Sequence, residues 1–342
     1  MAHDLEATAQ ALVTPGKGIL AADESMGTIQ KRFDTIDVES TEDNRRSYRE
    51  LLLTTGNAES HISGVILFDE TARQSTAGGR RFVEVLQDKG ILPGIKVDKG
   101  AKPLPFAPGE KVTEGLDGLR PRLEEYAGMG LRFAKWRAVI VIDSARGLPS
   151  GHCLDANAHA LARYAALCVE QGLVPIVEPE VLMNGPHTID DCYDATEHTL
   201  QRVYEALHLH RVPLEKTLLK PNMVLSGDTC SEQAGPEEVA EKTIRCFRRT
   251  VPAAVPGVVF LSGGQSDEQA TVNLNAMNAR DEVLPWRLSF SYGRALQAPA
   301  LATWLGKAEN VAAAQSAFFR RASLNGAATL GKYTPAMEGA AL

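Results

Sequence analysis

The sequence lacks the features that mark several large classes of protein. Its 342 residues include only five cysteines, an odd number without a C-x-x-C pair, so we expect reduced thiols and not a disulfide framework. Basic residues are not in excess: the net charge of -7 argues against nucleic acid or an anionic membrane as the main partner. No apolar run approaches the ~20 residues that span a bilayer, and the polar start "MAHDLEATAQ" does not resemble a signal peptide, so we expect a cytoplasmic protein.

Two further absences bear on metals and nucleotides. The eight histidines include a single close pair, His208 and His210, whose spacing puts the two side chains on different sides of a helix, so we do not expect a metal site there. The first predicted strand is not followed by G-x-G-x-x-G, since "TPGKG" precedes it, which argues against an open dinucleotide-binding sheet.

What the sequence does contain is a series of short apolar runs that end in polar or glycine-rich residues and alternate with segments of helical period. There are eight such runs, at residues 17–25, 62–70, 92–100, 132–143, 173–181, 216–224, 257–265 and 287–295. The segments between them include "DANAHALARYAALCVEQG", with Asp155 as N-cap, "PEEVAEKTIRCFRRT" from Pro236, and "SDEQATVNLNAMNA", capped by Ser266 or Asp267.

Eight strands that alternate with helices predict an α/β fold, a single-domain (β/α)8 TIM barrel. No linker divides the chain, so we expect one domain over residues 1–342, with an N-terminal helix and a C-terminal helical tail outside the eight repeated units. We expect the tail to be flexible from about 327 to 342.

Charged residues follow or lie within three consecutive strands, at the barrel end where catalytic groups gather. Lys220 and Glu178 each precede a proline, which favours an extended conformation and places both at strand termini. Side chains two apart share a face of a strand, so Glu180 should accompany Glu178, and Lys135 should accompany Arg137. One interpretation is a structural ion-pair network that holds the barrel closed.

The alternative is covalent catalysis. Desolvation and a neighbouring cation such as Lys135 disfavour the ammonium form of Lys220, which would then supply a free amine near neutral pH. Such an amine attacks a carbonyl to form a Schiff base, which withdraws electrons from the adjacent carbon. With a carboxylate to take a hydroxyl proton, carbon–carbon cleavage becomes feasible without a metal.

Phosphate recognition has candidates at the ends of the last two strands. "LSGGQS" (261–266) and "SYGRA" (291–295) offer backbone N–H groups that glycine leaves accessible, and Arg294 adds a bidentate donor. In TIM barrels, loops after strands seven and eight commonly bind phosphate. After the first strand, "ADESMG" (22–27) adds Asp23 and Ser25, and Lys31 with Arg32 form either a second anion site or an exposed turn.

Taken together, the sequence resembles class I, Schiff-base-forming fructose-bisphosphate aldolases. The matching stretches, in the family's order from about residue 8 to 335, are "GILAADES", "GIKVDKG", "FAKWR", "VPIVEPE", "TLLKPNMV", "FLSGGQS", "FSYGRALQ" and "GKYTP". The resemblance implies a lyase of glycolysis and gluconeogenesis that reversibly cleaves fructose 1,6-bisphosphate into dihydroxyacetone phosphate and glyceraldehyde 3-phosphate. It also implies a cytoplasmic homotetramer that needs no metal or other cofactor and has a sugar phosphate as its partner, not nucleic acid or membrane.

The resemblance also implies residue roles. It makes Lys220 the Schiff-base lysine and Glu178 the main proton-transfer carboxylate, with Asp23 and Lys135 as partners and Glu180 in support. The implied substrate-binding residues are Arg32, Ser25, Lys96, Arg137, Ser262, Gly263, Gly264, Ser291, Gly293 and Arg294, of which Arg32, Ser25 and Arg137 match positions near the phosphate opposite the ketose phosphate. At the fourth run the choice of the terminal polar residue would give Asp143, whereas the family motif points to Lys135.

Two departures from the family and two rival functions stay open. Animal members end in a tyrosine that assists proton transfer, but this chain ends in Leu342, and Tyr333 belongs to the earlier "GKYTP" motif. Thr28 replaces a serine that is common in the animal enzymes. The rivals are a lysine-dependent aldolase for a different sugar phosphate and a non-catalytic sugar-phosphate binder on the same fold.

Overall fold

The eight apolar runs form the eight strands of a closed, parallel barrel in the computed structural model, which describes residues 4–339. Numbered along the chain, the strands are β1 (Gly18–Ala22), β2 (Ile62–Leu67), β3 (Leu92–Lys96), β4 (Ala101–Pro103), β5 (Lys111–Thr113), β6 (Phe133–Ile140), β7 (Val174–Val181), β8 (Leu218–Leu219), β9 (Gly257–Phe260) and β10 (Arg287–Tyr292). The barrel order is β1-β10-β9-β8-β7-β6-β3-β2, and β2 pairs with β1 to close it. This confirms the predicted (β/α)8 barrel.

Helices pack around the barrel wall and across its amino-terminal end. They are α1 (Leu5–Leu12), α2 (Met26–Asp34), α3 (Glu42–Leu53), α4 (Asp69–Arg73), α5 (Phe82–Asp88), α6 (Leu119–Gly128), α7 (Gly151–Glu170), α8 (Ile189–Leu209), α9 (Pro236–Thr250), α10 (Asp267–Asn278), α11 (Arg294–Trp304) and α12 (Val311–Ala328). Within residues 4–339, none of these helices is long and apolar enough to cross a bilayer.

Helix ends follow the capping chemistry of the sequence, with one correction. Pro236 opens α9 as predicted, and the Ser266 hydroxyl accepts a 3.1 Å hydrogen bond from the backbone N–H of Gln269 at the start of α10. Asp155 is not an N-cap. Helix α7 begins five residues earlier, at Gly151, where the Ser150 hydroxyl accepts from the Cys153 N–H at 3.2 Å.

The antiparallel hairpin of β4 and β5 is an insertion between β3 and β6 that the sequence analysis did not predict. Its two strands have three residues each, and most of these side chains are exposed or half-buried. Such short strands lack the apolar alternation by which strands are recognised in a sequence.

The amino-terminal end of the barrel is closed by α1. Its buried face, Leu5, Ala9 and Leu12, belongs to one apolar cluster with inward-facing strand residues such as Ile176 and Val259. The C-terminal helix α12 packs instead against α11, outside the wall. Because apolar side chains fill the amino-terminal half of the barrel, buried charged residues of the strands, such as Lys135 and Glu178, lie towards the opposite, carboxyl end.

Barrel glycines make room for aromatic rings, which gives a stability prediction. A Cβ atom on Gly94 would lie 2.3 Å from the Phe133 ring. We expect Gly94→Ala to lower the free energy of unfolding by roughly 1–3 kcal/mol through overpacking, measured by urea denaturation. The control is Gly128→Ala in α6, where a Cβ would meet nothing within 4 Å, and a small gain of stability is expected. Equal effects of the two substitutions would contradict the packing argument.

Candidate active site

A cavity of about 1520 Å³ opens at the carboxyl end of the barrel. Every candidate site residue from the sequence lines it. They are Asp23, Ser25, Arg32, Lys96, Lys135, Arg137, Glu178, Glu180, Lys220, Ser262, Gly263, Gly264, Ser291, Gly293 and Arg294. Residues separated by as many as 271 positions in the chain therefore meet in one place because the parallel strands end on the same side of the barrel.

The floor of the cavity follows from the two-residue period of the strands. On β6, Phe133 lies in the apolar barrel interior, and Lys135 is the next residue on the same face. On β7, Ile176 is followed in the same way by Glu178. The charged groups thus lie directly above the apolar layer, where they are largely buried.

Four charged groups form the centre of the site. Lys220 Nζ lies 3.1 Å from Glu178 Oε1, and Lys135 Nζ lies 3.2 Å from Glu178 Oε2. Lys135 Nζ also contacts Asp23 Oδ2 at 2.7 Å. Lys220, Lys135 and Glu178 are each at most 4% exposed. One carboxylate therefore bridges two buried lysines, and a second carboxylate holds the more central of the two.

The electrostatics of this cluster fix two protonation states. Burial alone would raise the pKa of Asp23, but Lys135 and Lys220 outweigh burial and hold that pKa well below its usual range. Burial alone would lower the pKa of Lys135, but Asp23, Glu178 and Asp98 outweigh it and raise that pKa well above its usual range. At neutral pH, Asp23 is therefore a carboxylate and Lys135 an ammonium.

The lowered pKa of Asp23 predicts how stability depends on pH. A carboxyl whose pKa is lower in the folded protein stabilises it above the unfolded value of ~3.9, and this contribution is lost as pH falls below that value. We expect the free energy of unfolding, followed by urea denaturation from pH 6 downward, to fall below pH ~4 less steeply in Asp23→Asn than in the wild type. The matched control is Asp155→Asn, the same substitution at an exposed position. An unchanged slope in Asp23→Asn would contradict the assignment.

The position of Glu178 differs from the prediction. It lies inside β7, which continues to Val181, and not at a strand terminus. In β7, the N–H groups of odd-numbered residues point towards β8, which pairs with β7 only as far as Leu219. An N–H at position 179 would therefore have no partner on β8, so proline, which lacks an N–H, is tolerated there. Beyond that point the Asn222 side chain takes the place of a strand and accepts from the Val181 N–H at 3.0 Å. Lys220, by contrast, directly follows the end of β8 as predicted.

A second layer of ion pairs surrounds the centre. Arg137 pairs with Glu180, and Lys96 Nζ lies 2.6 Å from Asp98 Oδ1. Asp98 is buried, lies 4.0 Å from Lys135 Nζ and was missed in the sequence analysis. It closes the third apolar run, "GIKVDKG", so the rule that selects polar residues at run ends would have found it.

The same rule fails at the fourth run. Asp143 is not among the residues that line the cavity; it lies in the loop after β6, where Oδ1 accepts from the Arg146 N–H at 3.2 Å. Strand β6 continues five residues past Lys135, to Ile140, so the end of this run lies beyond the charged centre of the site. The site residue is therefore Lys135, within the strand. The family motif therefore gave the better prediction here.

Glycine lets the backbone approach the cavity at the ends of β9 and β10. Gly264 has φ +78°, and a Cβ there would lie 2.6 Å from Met183. A Cβ on Gly263 would lie 2.9 Å from Glu180 Oε1. Gly293 precedes α11, which begins at Arg294, so the N–H groups of that first turn face the same end of the cavity. The hydroxyl of Ser291 is buried there without a hydrogen-bond partner.

Ser25 and Arg32 line the cavity from the loop after β1 and from α2. Ser25 precedes α2, and its hydroxyl lies 3.2 Å from that of Thr28. Arg32 pairs with Glu24, and its Nη2 is 3.3 Å from the position of a Cβ on Gly293. The structure thus places Arg32 between the loop after β1 and the loop after β10.

The departures noted in the sequence have structural counterparts. The Tyr333 hydroxyl donates to Glu338 Oε1 at 2.9 Å, and Tyr333 is not among the cavity residues. Leu342 lies outside the described residues. Across residues 4–339, no group of three or more His, Cys, Asp or Glu side chains is arranged to hold a metal ion.

Comparison with known proteins identifies the family. The family model for class I fructose-bisphosphate aldolases matches residues 4–342. The chain belongs to the class I fructose-bisphosphate aldolases. Similar class I aldolases include a probable class 1 fructose-bisphosphate aldolase of Xanthomonas campestris, 60% identical over 332 residues that cover 97% of this chain and 98% of the relative. A cytoplasmic isozyme of Spinacia oleracea is 56% identical over 339 residues, covering 99% and 94% of the two chains.

A solved aldolase structure agrees with the fold. The fructose-bisphosphate aldolase of Plasmodium falciparum, determined in complex with TRAP and a small-molecule inhibitor, matches with a TM-score of 0.95 and 53% sequence identity. The match covers 96% of this chain and 95% of the other. This chain is therefore a fructose-bisphosphate aldolase, a carbon–carbon lyase that acts on a sugar phosphate.

Proposed function

We propose that Lys220 is the nucleophile with which this aldolase cleaves fructose 1,6-bisphosphate into dihydroxyacetone phosphate and glyceraldehyde 3-phosphate. The observation that carries the proposal is the bridging of Lys220 and Lys135 by Glu178, at 3.1 and 3.2 Å, above an apolar barrel floor. A structural ion-pair network does not need an open cavity over the pair, whereas a nucleophile does.

The first step is attack of the Lys220 amine on the ketone carbon of the open-chain sugar. For this the ammonium must lose a proton, and Glu178 Oε1 is the acceptor within 3.1 Å. Lys135 is unsuited to that role because its raised pKa keeps it protonated. The resulting carbinolamine loses its oxygen as water, and Glu178 returns the proton that this departure requires.

Cleavage follows from the iminium ion. The hydroxyl on the carbon two bonds beyond the imine carbon gives its proton to the Glu178 carboxylate, which has returned its first proton. The bond between that carbon and the carbon next to the imine breaks, and its electron pair forms the new carbon–carbon double bond as the imine electrons move onto nitrogen, giving an enamine. Asp23 is ionised and Lys135 lies beside it at 2.7 Å, so this pair offers a carboxylate and a fixed cation where charge develops. The aldehyde product leaves, and protonation and hydrolysis of the enamine release dihydroxyacetone phosphate.

The phosphates provide orientation. We assign the ketose phosphate to the loops after β9 and β10, where the glycine backbone and the first turn of α11 supply N–H donors. Arg32, Ser25 and Arg137 line the same mouth and are proposed to hold the opposite phosphate, with Lys96 as a further lysine of the site. Glu180 supports this arrangement through its pair with Arg137.

We further propose a homotetramer in the cytoplasm and a single domain over residues 1–342. The tetramer rests on the family resemblance. The cytoplasmic location rests on the name of the spinach relative. Sedimentation equilibrium checks the tetramer, and a monomer at micromolar concentration would refute it. The predicted flexibility of the tail from about 327 to 342 stays a prediction.

Borohydride trapping tests the proposed nucleophile. The protein is reduced with borohydride in the presence and absence of dihydroxyacetone phosphate, and its peptides are mapped by mass. We expect a stable adduct on Lys220 that depends on the ligand, and none on Lys96 or Lys135. Binding of the ligand without modification of Lys220 would leave the ion-pair network or a non-catalytic binder as the explanation.

A further inference from the structure

Behind the loop that carries Asp23, the neighbouring residue Glu24 lies between two arginines. Glu24 Oε2 accepts from Arg49 Nη2 at 2.5 Å, and Glu24 Oε1 pairs with Arg32 Nη1. Glu24 and Arg49 are 8% and 3% exposed, whereas the Arg32 side chain is 21% exposed and lines the cavity. The carboxylate is thus shared by one arginine that faces the substrate cavity and one that does not.

The shared carboxylate is fixed to the barrel by Gln297 of α11. Gln297 Nε2 donates to Glu24 Oε1 at 2.8 Å and to the Ala21 carbonyl of β1 at 2.6 Å. Gln297 Oε1 accepts from the buried Tyr48 hydroxyl at 3.1 Å. Arg49 lies on α3 beside Tyr48, so the network joins α3, α11 and the end of β1. Glu24 consequently has little freedom to follow Arg32.

Charge balance gives the network a function. Arg32, Glu24 and Arg49 together carry one net positive charge, and the accessible part of it is the Arg32 guanidinium. Without Arg49, the Glu24 carboxylate would neutralise Arg32 alone, and Oε2, released from Arg49, could join Oε1 in a bidentate pair with the Arg32 guanidinium. Arg32 would then be drawn away from an anion in the cavity and would offer it no net charge.

We propose that Arg49 is a positioning residue for phosphate binding: by neutralising Glu24 from the buried side, it keeps Arg32 available to a substrate phosphate. The inference rests on the proposed function in that it takes the bound anion to be a phosphate of the sugar substrate. Arg49 does not line the cavity, so its effect must pass through Glu24 and Arg32.

The test compares Arg49→Gln with Arg49→Lys and with the double variant Arg49→Gln, Glu24→Gln. Two quantities are measured on the full chain: KM and kcat for fructose 1,6-bisphosphate, and the Kd of inorganic phosphate by calorimetry. We expect Arg49→Gln to raise both KM and the phosphate Kd by about tenfold with kcat within about twofold, since the loss is one charge-assisted contact. Arg49→Lys, which keeps the charge, should lie near the wild type.

The double variant separates charge balance from folding. It restores one net positive charge at Arg32 and buries no unpaired charge, so it should recover most of the phosphate affinity lost in Arg49→Gln. If Arg49→Gln does not fold, Gln297→Met, which frees Glu24 Oε1 for Arg32 alone, should raise the phosphate Kd by about threefold. Unchanged phosphate affinity in these variants, or a double variant as weak as the single one, would overturn the proposal.

The two proposals fail in different ways. Phosphate binding does not depend on cleavage. A wild-type protein that binds phosphate but gives no borohydride adduct on Lys220 would therefore refute the proposed nucleophile. The role of Arg49 would then still be decided by the phosphate Kd of its variants. Conversely, normal trapping on Lys220 with no effect of Arg49→Gln on KM would refute the role of Arg49 alone.

Discussion

Replacement of Lys220 by methionine should abolish the cleavage of fructose 1,6-bisphosphate. Methionine has nearly the length of lysine and suits a position that is 4% exposed, but its thioether cannot form an imine. We expect kcat to fall by about 10⁵-fold or more, because loss of the covalent intermediate removes the whole low-barrier route. Steady-state assays, with far-UV circular dichroism to confirm folding, measure the effect.

The control for this variant is Lys220→Arg. Arginine keeps the positive charge opposite Glu178, but its guanidinium stays protonated and is no nucleophile. We expect Lys220→Arg to be as inactive as Lys220→Met. If arginine at this position retained cleavage, a role for Lys220 as a cation rather than as a nucleophile would follow. Near-normal turnover in Lys220→Met would refute both roles.

The sequence predicts the barrel well because the parallel strands are buried on both faces. Such strands appear as continuous apolar runs, and all eight runs correspond to barrel strands. The short hairpin of β4 and β5 escapes the same analysis because its side chains are mostly solvent-accessible and carry no pattern of burial. Its formation depends on neighbouring backbone, for example the Thr113 hydroxyl that donates to the Arg137 carbonyl at 2.7 Å.

The site is predictable only in part, since a polar residue at the end of an apolar run does not reveal how deep in the barrel the site residues of that strand lie. Lys135 and Glu178 lie within their strands, each two residues beyond an apolar residue on the same face. Lys135 was found from the family motif and its shared face with Arg137, and Glu178 from the proline that follows it. Asp98 lies at a run end and was overlooked. Glu24 and Arg49 are 25 residues apart and meet where α3 contacts the loop after β1, which no local pattern in the sequence encodes.

The second large effect is expected at Glu178, because two buried lysines share its carboxylate. Glu178→Gln should lower kcat by about 10²- to 10⁴-fold, the range for loss of a general acid–base group, while dihydroxyacetone phosphate is still trapped on Lys220 at a reduced rate.

Glu180→Gln is the matched control on the same strand. Its partner Arg137 is 43% exposed, so solvent can replace part of the lost contact, and we expect a fall of about tenfold or less. Rapid-quench measurement of imine formation separates the two, since only the Glu178 variant should be slow in that step. If both variants form the imine equally fast, the proton that leaves Lys220 must pass to another group, and Asp23 would become the first alternative because it is ionised and interacts electrostatically with Lys220.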